Sequence, residues 1–62
     1  EVLIVLQVNG KVRQKISVAS GISEDDLKIR SLEDPKIQEW TQGKEIKKVI
    51  VIPKKLVNIV IQ

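Results

Sequence analysis

The sequence predicts a small α+β domain with the element order β-β-α-α-β-β, in which two hairpins form one sheet and two short helices pack on one face. Two observations support this fold class. Val, Ile and Leu fill 24 of the 62 positions, a composition that favours sheet over helix bundle. Two pairs of β-rich runs each meet at a tight-turn signal, and a polar segment with helix-capping residues separates them. Residues 1–62 are therefore predicted to form a single domain.

The first hairpin is predicted over residues 2–18, with its turn at Asn9-Gly10. This dipeptide is a strong signal for a two-residue type I′ turn, which needs positive φ at both central positions. After the turn the sequence alternates, so Val12, Ile16 and Val18 are expected on one face of the strand. The same alternation places three cations in a row on the other face: Lys11, Arg13 and Lys15.

The register of this hairpin has two solutions. With a two-residue loop, Ile4 faces Lys15, and the basic row shares its face with aliphatic residues. With a three-residue loop and a bulge at Gly10, Val2 faces Ile16, which gives a cleaner apolar face. The sequence leaves both registers open, and the basic row exists in either.

Two helices are predicted between the hairpins. The first begins after Ser23, a natural N-cap, and runs to Glu33. Three acids crowd its first turn, where the helix dipole stabilises them, and we interpret them as part of the cap. A calcium site would need about six to eight oxygens in a dedicated loop. Asp34-Pro35 ends this helix and starts a shorter one, for which Asp34 is the expected N-cap and which Gly43 terminates.

Trp40 is the only aromatic residue of the chain. It follows Ile37 by three positions in the second helix, and this spacing predicts a core residue rather than a platform for base stacking. The second hairpin follows, with strands over residues 46–52 and 56–61 and a Pro-Lys-Lys turn between them.

Several classes of function are disfavoured by composition. The chain has no His, Cys or Tyr, so the usual general base, thiol nucleophile and phenolic acid are absent, and no enzyme activity is expected of it. The lack of Cys favours an intracellular protein. No apolar run approaches the roughly 18 residues that span a bilayer, so no membrane association is expected. The chain begins and ends within β-rich runs, as expected of a module cut from a longer polypeptide.

The charge is unevenly distributed, although the net charge is only +3. Residues 23–40 carry six acids and three bases, whereas the rest of the chain carries two acids and eight bases. Such an asymmetry suits steering toward a polyanion. Seven of those eight bases are lysines, which bind phosphate as point charges rather than reading base edges. The alternative is that the lysines only keep an aliphatic sheet soluble and blunt its edges.

Three segments of the sequence, in the same order and spacing, resemble the C-terminal domain of bacterial-type leucyl-tRNA synthetase, and the similarity covers essentially the whole chain. They are Gln7–Arg13, Gly43–Pro53 and Lys55–Val60. The chain departs from the family pattern at Lys54, where glycine is usual, and at Gln14, where a small residue is often found. The first departure leaves the type of the second turn open.

The resemblance implies a tRNA-binding module joined by a flexible linker to the end of a large cytoplasmic class I synthetase. Such a module contacts the outer corner of leucine-accepting tRNA, where the D and T loops meet. Leucylation and editing, with ATP and magnesium, would take place in the remainder of the parent synthetase. The module itself would then need no cofactor.

Charge and resemblance together predict contacts between tRNA phosphates and the cations of the two hairpins. The predicted residues are Lys11, Arg13, Lys15, Lys47, Lys48, Lys54 and Lys55. Because neighbouring strand residues point in opposite directions, Lys47 and Lys48 are not expected to act together. Two other functions remain open: a protein-interaction module that docks through the apolar surface of the sheet, and a stand-alone nonspecific RNA binder.

Overall fold

The computed structural model describes all 62 residues and confirms the predicted order β-β-α-α-β-β. Its strands are β1 (Val2–Val8), β2 (Lys11–Val18), β3 (Ile46–Ile52) and β4 (Leu56–Ile61). Its helices are α1 (Glu24–Glu33) and α2 (Pro35–Thr41). Neither helix is long and apolar enough to cross a membrane.

The four strands form one sheet in the order β2-β1-β4-β3. Each hairpin is antiparallel, and the two hairpins join through a parallel pairing of β1 with β4, in which Val5 lies opposite Leu56 and Val8 opposite Ile59. Parallel neighbours need a crossover connection, which here contains α1 and α2. The strands β2 and β3 are consequently the two edges of the sheet.

The core lies between the sheet and the two helices and consists of eight buried aliphatic residues. The central strands β1 and β4 supply five of them, because every second residue of these strands points toward the helices. The eight are Ile4, Leu6, Val8, Val18, Leu27, Ile37, Val57 and Ile59. The opposite side of the sheet, which we call the open face, carries exposed aliphatic side chains, of which Leu3 is 59% exposed.

The predicted helix caps are confirmed. The side chain of Ser23 accepts a hydrogen bond from the backbone N–H of Asp26 at 3.1 Å. Asp34 caps α2 by accepting from the N–H of Lys36 at 2.9 Å. After α2 the chain turns at Gly43, whose φ of 74° is left-handed. Each cap satisfies backbone groups that a helix end leaves without a partner.

Trp40 lies outside the core, so the prediction for this residue was wrong. Its side chain is 43% exposed, whereas Ile37 on the same helix is fully buried. Side chains three positions apart on an α-helix differ by a rotation of about 60° around its axis, because three residues fall short of a full turn. In a helix of seven residues that packs through one buried side chain, this rotation is enough to move the indole from the core to the rim.

The first hairpin adopts a register that neither predicted alternative describes in full. The turn is the two-residue type, since Asn9 and Gly10 have φ values of 51° and 83° and the residues on either side of them are paired. Further from the turn, however, Ile4 faces Ile16. A β-bulge in β2, with Arg13 as the additional residue, lies between these two regions.

The bulge reconciles two requirements on the strand register that differ by one residue. The Asn-Gly turn fixes the pairing at the tip of the hairpin, and continuing that register would place Lys15 opposite Ile4. Burial of the apolar residues instead requires Ile16 and Val18 to share the side of Ile4, because a slip of one residue exchanges the two faces of a strand. Inserting one unpaired residue satisfies both requirements.

The turn between β3 and β4 has proline at its second position, as predicted, and Lys54 at its third. Lys54 has a φ of 62°, and the N–H of Lys55 donates to the carbonyl of Ile52 at 3.0 Å. Positive φ at the third position is the mark of a type II turn, in which glycine is favoured. This chain therefore keeps a glycine-type turn with a lysine in the strained position.

Candidate nucleic-acid interface

The bulge separates the three cations that simple alternation places in one row. Lys11 lies opposite Val8, a core residue, and Arg13 contacts Trp40 of α2, so both cations are on the helix side of the sheet. Lys15 lies beyond the bulge and belongs to the open face. The prediction of a single basic row along one side of β2 was therefore wrong.

Arg13 stacks on Trp40. The guanidinium carbon lies 3.9 Å from the centroid of the indole ring, within the range of a cation–π interaction. The Nε atom of Arg13 is buried and has no hydrogen-bond partner. The indole therefore fixes the plane of the guanidinium, while that nitrogen still lacks an acceptor.

Arg13 and Trp40 line a groove of about 400 Å³ at the Asn9-Gly10 end of the molecule. Its lining comes from the first hairpin, from α2 and the segment after it, and from the last residues of the chain. Three cations and one acid contribute: Lys11, Arg13, Lys44 and Glu39. We call this feature the basic groove, and its excess of positive charge makes it suited to an anionic ligand.

Side-chain amides tie the hairpin tip at the rim of the basic groove to β4. Asn9 donates its backbone N–H to the carbonyl of Ile59 at 2.9 Å, and its Oδ1 accepts from the N–H of Ile61 at 2.9 Å. The Oδ1 of Asn58 accepts from the N–H of Gly10 at 3.0 Å. These bonds hold the tip against the sheet and thereby fix the backbone of Lys11, the residue that follows the turn.

The other wall of the basic groove is attached to β2 next to the bulge. The Nε2 of Gln14 donates to Oδ1 of Asp34 at 3.5 Å, and the same oxygen caps α2. Gln14 directly follows Arg13, the additional residue of the bulge. In this chain it links the bulged strand to the start of the helix that carries Trp40.

The structure does not bring the other predicted cations into the basic groove. Lys48 lies opposite Val60 on the open face, and Lys47 is the additional residue of a second bulge, in β3. Lys54 and Lys55 form the turn that precedes β4, whose six residues separate it from the groove by roughly 20 Å. The seven predicted cations thus occupy several surfaces, and their contacts with RNA stay predictions.

The acidic first turn of α1 lies at the end of the molecule away from the basic groove. Glu24 lines a small cleft together with Val2 and Lys54, whereas the groove borders Val8 and Asn9 at the other end of the first strand. The acids of this first turn are therefore distant from the groove, although Lys54 lies beside Glu24 and Glu39 lies within the groove. No group of three His, Cys, Asp or Glu side chains is placed to hold a metal ion.

Sequence reasoning missed two components of the basic groove, Trp40 and Lys44. Lys44 directly follows the glycine that ends α2, and its N–H donates to the carbonyl of Thr41 at 2.9 Å. This tight reversal brings Lys44 to the groove lined by Trp40. A usable signal was present, because a glycine cap folds the next residues back beside the last turn of its helix.

Comparison with known proteins gives one consistent group of relatives. No family model matches the chain. It is 52% identical over 61 residues to the leucine–tRNA ligase of Desulforapulum autotrophicum and 49% identical over 61 residues to that of Geotalea uraniireducens. Identity to the leucine–tRNA ligase of Petrotoga mobilis is 44% over 62 residues. These matches cover 98–100% of the chain but only 7–8% of the relatives.

A solved structure shares the fold. It is the crystal structure of the ternary complex of Agrobacterium radiobacter K84 agnB2 LeuRS with tRNA and LeuAMS. The alignment has a TM-score of 0.93 at 20% identity and covers 98% of this chain and 8% of that one. Identity of 44–52% along nearly the whole chain confirms the resemblance seen in the sequence. The chain therefore belongs to the leucine–tRNA ligase family, of which it represents one small segment.

Proposed function

We propose that this chain is the C-terminal tRNA-binding module of a leucine–tRNA ligase. It contacts the outer corner of leucine-accepting tRNA, where the D and T loops meet, and helps to position the tRNA for leucylation and editing. The observation that carries the proposal is the basic groove, in which Lys11, Arg13 and Lys44 meet at one end of the molecule. The related ligases act on tRNA, as their names state.

The cations of the module suit an RNA backbone better than a base sequence. Lysine is a compact point charge, and phosphate contacts give position and affinity without reading bases. Edge strand β2 carries Lys11 and Arg13 on one side and Lys15 on the other, so RNA that approaches this edge meets all three. The remaining predicted contacts lie further away: Lys47, Lys48, Lys54 and Lys55.

In the proposed parent enzyme, catalysis takes place outside this segment. The remainder of the ligase binds ATP and magnesium and carries the leucylation and editing sites, and the enzyme works in the cytoplasm. A few phosphate contacts give weak binding at physiological salt. Attachment to an enzyme that already holds the tRNA raises the effective concentration of the module to roughly the millimolar range, which makes weak contacts useful.

The open face supports a second candidate function, docking onto the remainder of the same ligase. Leu3, Val12 and Ile52 are 59%, 51% and 41% exposed there, an unusual amount of aliphatic surface for a small domain. The relatives are more than ten times longer than this chain, so a covering segment is available in them. Salt distinguishes the two functions, since apolar docking does not weaken as salt rises, whereas phosphate binding does.

Equilibrium binding to folded and unfolded RNA tests the proposal. The chain is titrated with leucine-accepting tRNA and with unstructured RNA of equal length, using fluorescence anisotropy of labelled RNA at low salt. We expect clearly tighter binding to the folded tRNA, because only it presents the corner. Equal affinity for the two RNAs would point to a nonspecific RNA binder. Absence of binding to either RNA would refute a tRNA-binding role and leave docking through the open face.

A further inference from the structure

We propose that the basic groove is a binding site for a single backbone phosphate of RNA, with Arg13 as its bidentate ligand, Lys11 and Lys44 as flanking charges, and Trp40 as the residue that orients Arg13. This inference rests on the proposed function and makes it specific. It assigns Lys44 and Trp40 a role in binding, and it places the main anchor of the RNA on the helix side of the sheet.

The chemistry of the guanidinium supports this assignment. Arginine presents planar N–H donors as a fork that matches two oxygens of one phosphate, whereas lysine offers a single charged point. Arg13 is one of only two arginines in the chain, and it is the one in the groove. Its buried Nε has no acceptor within the protein, and a buried donor without a partner is costly. Because Nε is buried, a phosphate in the groove would be bound through the two terminal Nη nitrogens of the fork.

The stack on Trp40 prepares the fork for its ligand. A free arginine side chain loses considerable rotamer entropy when it is fixed, and this loss weakens binding. At 3.9 Å from the ring centroid, the guanidinium of Arg13 is held before any ligand arrives. The β-bulge makes the stack possible, because it turns Arg13 toward α2 instead of pairing it with β1.

The size and charge of the groove are suited to one phosphate with its adjoining sugar. A volume of about 400 Å³ exceeds the space of a single ion and lies at the lower end of small-ligand sites. Lys11 and Lys44 add two positive charges, and Glu39 sets a limit on how many phosphates the groove attracts. The negative charge of Glu39 disfavours a second phosphate next to the first.

Salt-dependent binding of four proteins tests the inference: the unmodified chain, Arg13→Ala, Arg13→Lys and Arg30→Ala. The ligand is leucine-accepting tRNA. Arg30 is the matched control, because it is the other arginine and lies with Ala19 and Ile29 away from the groove. Far-UV circular dichroism verifies that each variant is folded. If Arg13→Ala does not fold, Arg13→Lys, which keeps the positive charge, still tests the bidentate role.

We expect Arg13→Ala to weaken tRNA binding by at least tenfold and to reduce the salt slope by about one contact. Arg13→Lys should weaken binding by on the order of tenfold with the slope unchanged, because the charge remains while the fork and the stack are lost. Arg30→Ala should change affinity less than twofold. An Arg13→Lys variant that binds like the unmodified chain would overturn the bidentate role.

The emission of Trp40 supplies a second readout. Because Trp40 is the only aromatic residue, all indole fluorescence reports on the groove. We expect tRNA to change the emission in the unmodified chain and in Arg30→Ala, with the same midpoint as the anisotropy titration. Binding by anisotropy without any change in Trp40 emission would overturn the groove site while leaving the proposed function intact. If the unmodified chain does not bind tRNA at all, the proposed function is refuted instead.

Discussion

The side chain of Asn9 forms a hydrogen bond with the backbone of Ile61, in which Oδ1 accepts the N–H at 2.9 Å. Asn9 is the first residue of the hairpin turn, so β1 has already ended there. Its amide oxygen takes the place of the next backbone carbonyl and extends the β1–β4 pairing by one bond. The tip of the first hairpin, and with it one rim of the basic groove, is thereby fixed to the centre of the sheet.

We predict that Asn9→Gly lowers the free energy of unfolding by about 1–2 kcal/mol, because glycine tolerates the φ of 51° but leaves the N–H of Ile61 without this acceptor. Asn9→Asp keeps an acceptor in the same place and should cost less. Urea unfolding followed by Trp40 fluorescence measures both. Equal losses of unfolding free energy in Asn9→Gly and Asn9→Asp would show that the hydrogen bond from Ile61 contributes little.

Lys54→Gly should stabilise the chain by up to about 1 kcal/mol, since a non-glycine residue in left-handed conformation is strained and glycine is not. The φ of 62° at Lys54 is the basis for this expectation. Lys55→Gly removes the same charge from the neighbouring position without such relief. Thermal unfolding of the two variants and of the unmodified chain provides the comparison. A midpoint temperature for Lys54→Gly below that of the unmodified chain would contradict the type II assignment.

Ile37→Ala should cost about 2–4 kcal/mol of stability, because this side chain is fully buried and is the buried residue through which α2 packs on the sheet. Loosening α2 also frees the indole from Arg13, so the emission of Trp40 should shift to the red. Ile29→Ala is the matched control, since Ile29 is 53% exposed and its truncation should change stability by less than about 0.5 kcal/mol. Similar losses of stability in Ile37→Ala and Ile29→Ala would show that Ile37 is not a core residue.

Binding of leucine-accepting tRNA should weaken steeply with salt. Three or four neutralised phosphates correspond to a slope of roughly −2 to −4 in a plot of log affinity against log salt. Between about 50 and about 200 mM salt the affinity should fall by at least about tenfold. Isothermal titration calorimetry at four salt concentrations determines the slope. A flat dependence would favour apolar contacts through the open face.

The elements of this fold were predictable because each has a local cause. Asn9-Gly10 dictates a turn, Ser23 and Asp34 cap helices with their own side chains, and Gly43 ends α2. None of these features depends on distant parts of the chain. The bounds of the strands and helices accordingly agree with the sequence analysis.

The shape of the site was not predictable in the same way, because it depends on a conflict between two local rules. The turn at Asn9-Gly10 sets one register, and the burial of Ile16 and Val18 sets another. Only the assembled sheet shows that the difference is absorbed at Arg13. Because of that bulge, Arg13 faces Trp40, whereas Lys15 and Val12 lie on the open face. Strict alternation therefore wrongly grouped Lys11 and Arg13 with Lys15, and Val12 with Ile16 and Val18.

Hydroxyl-radical footprinting of leucine-accepting tRNA, with and without the chain at low salt, tests the central claim most directly. If the module binds the outer corner of the tRNA, protection should be concentrated in the D and T loops. At equal protein concentration this protection should be weaker in Arg13→Ala but unchanged in Arg30→Ala. Protection spread evenly along the tRNA, or confined to the acceptor stem or the anticodon, would contradict the account.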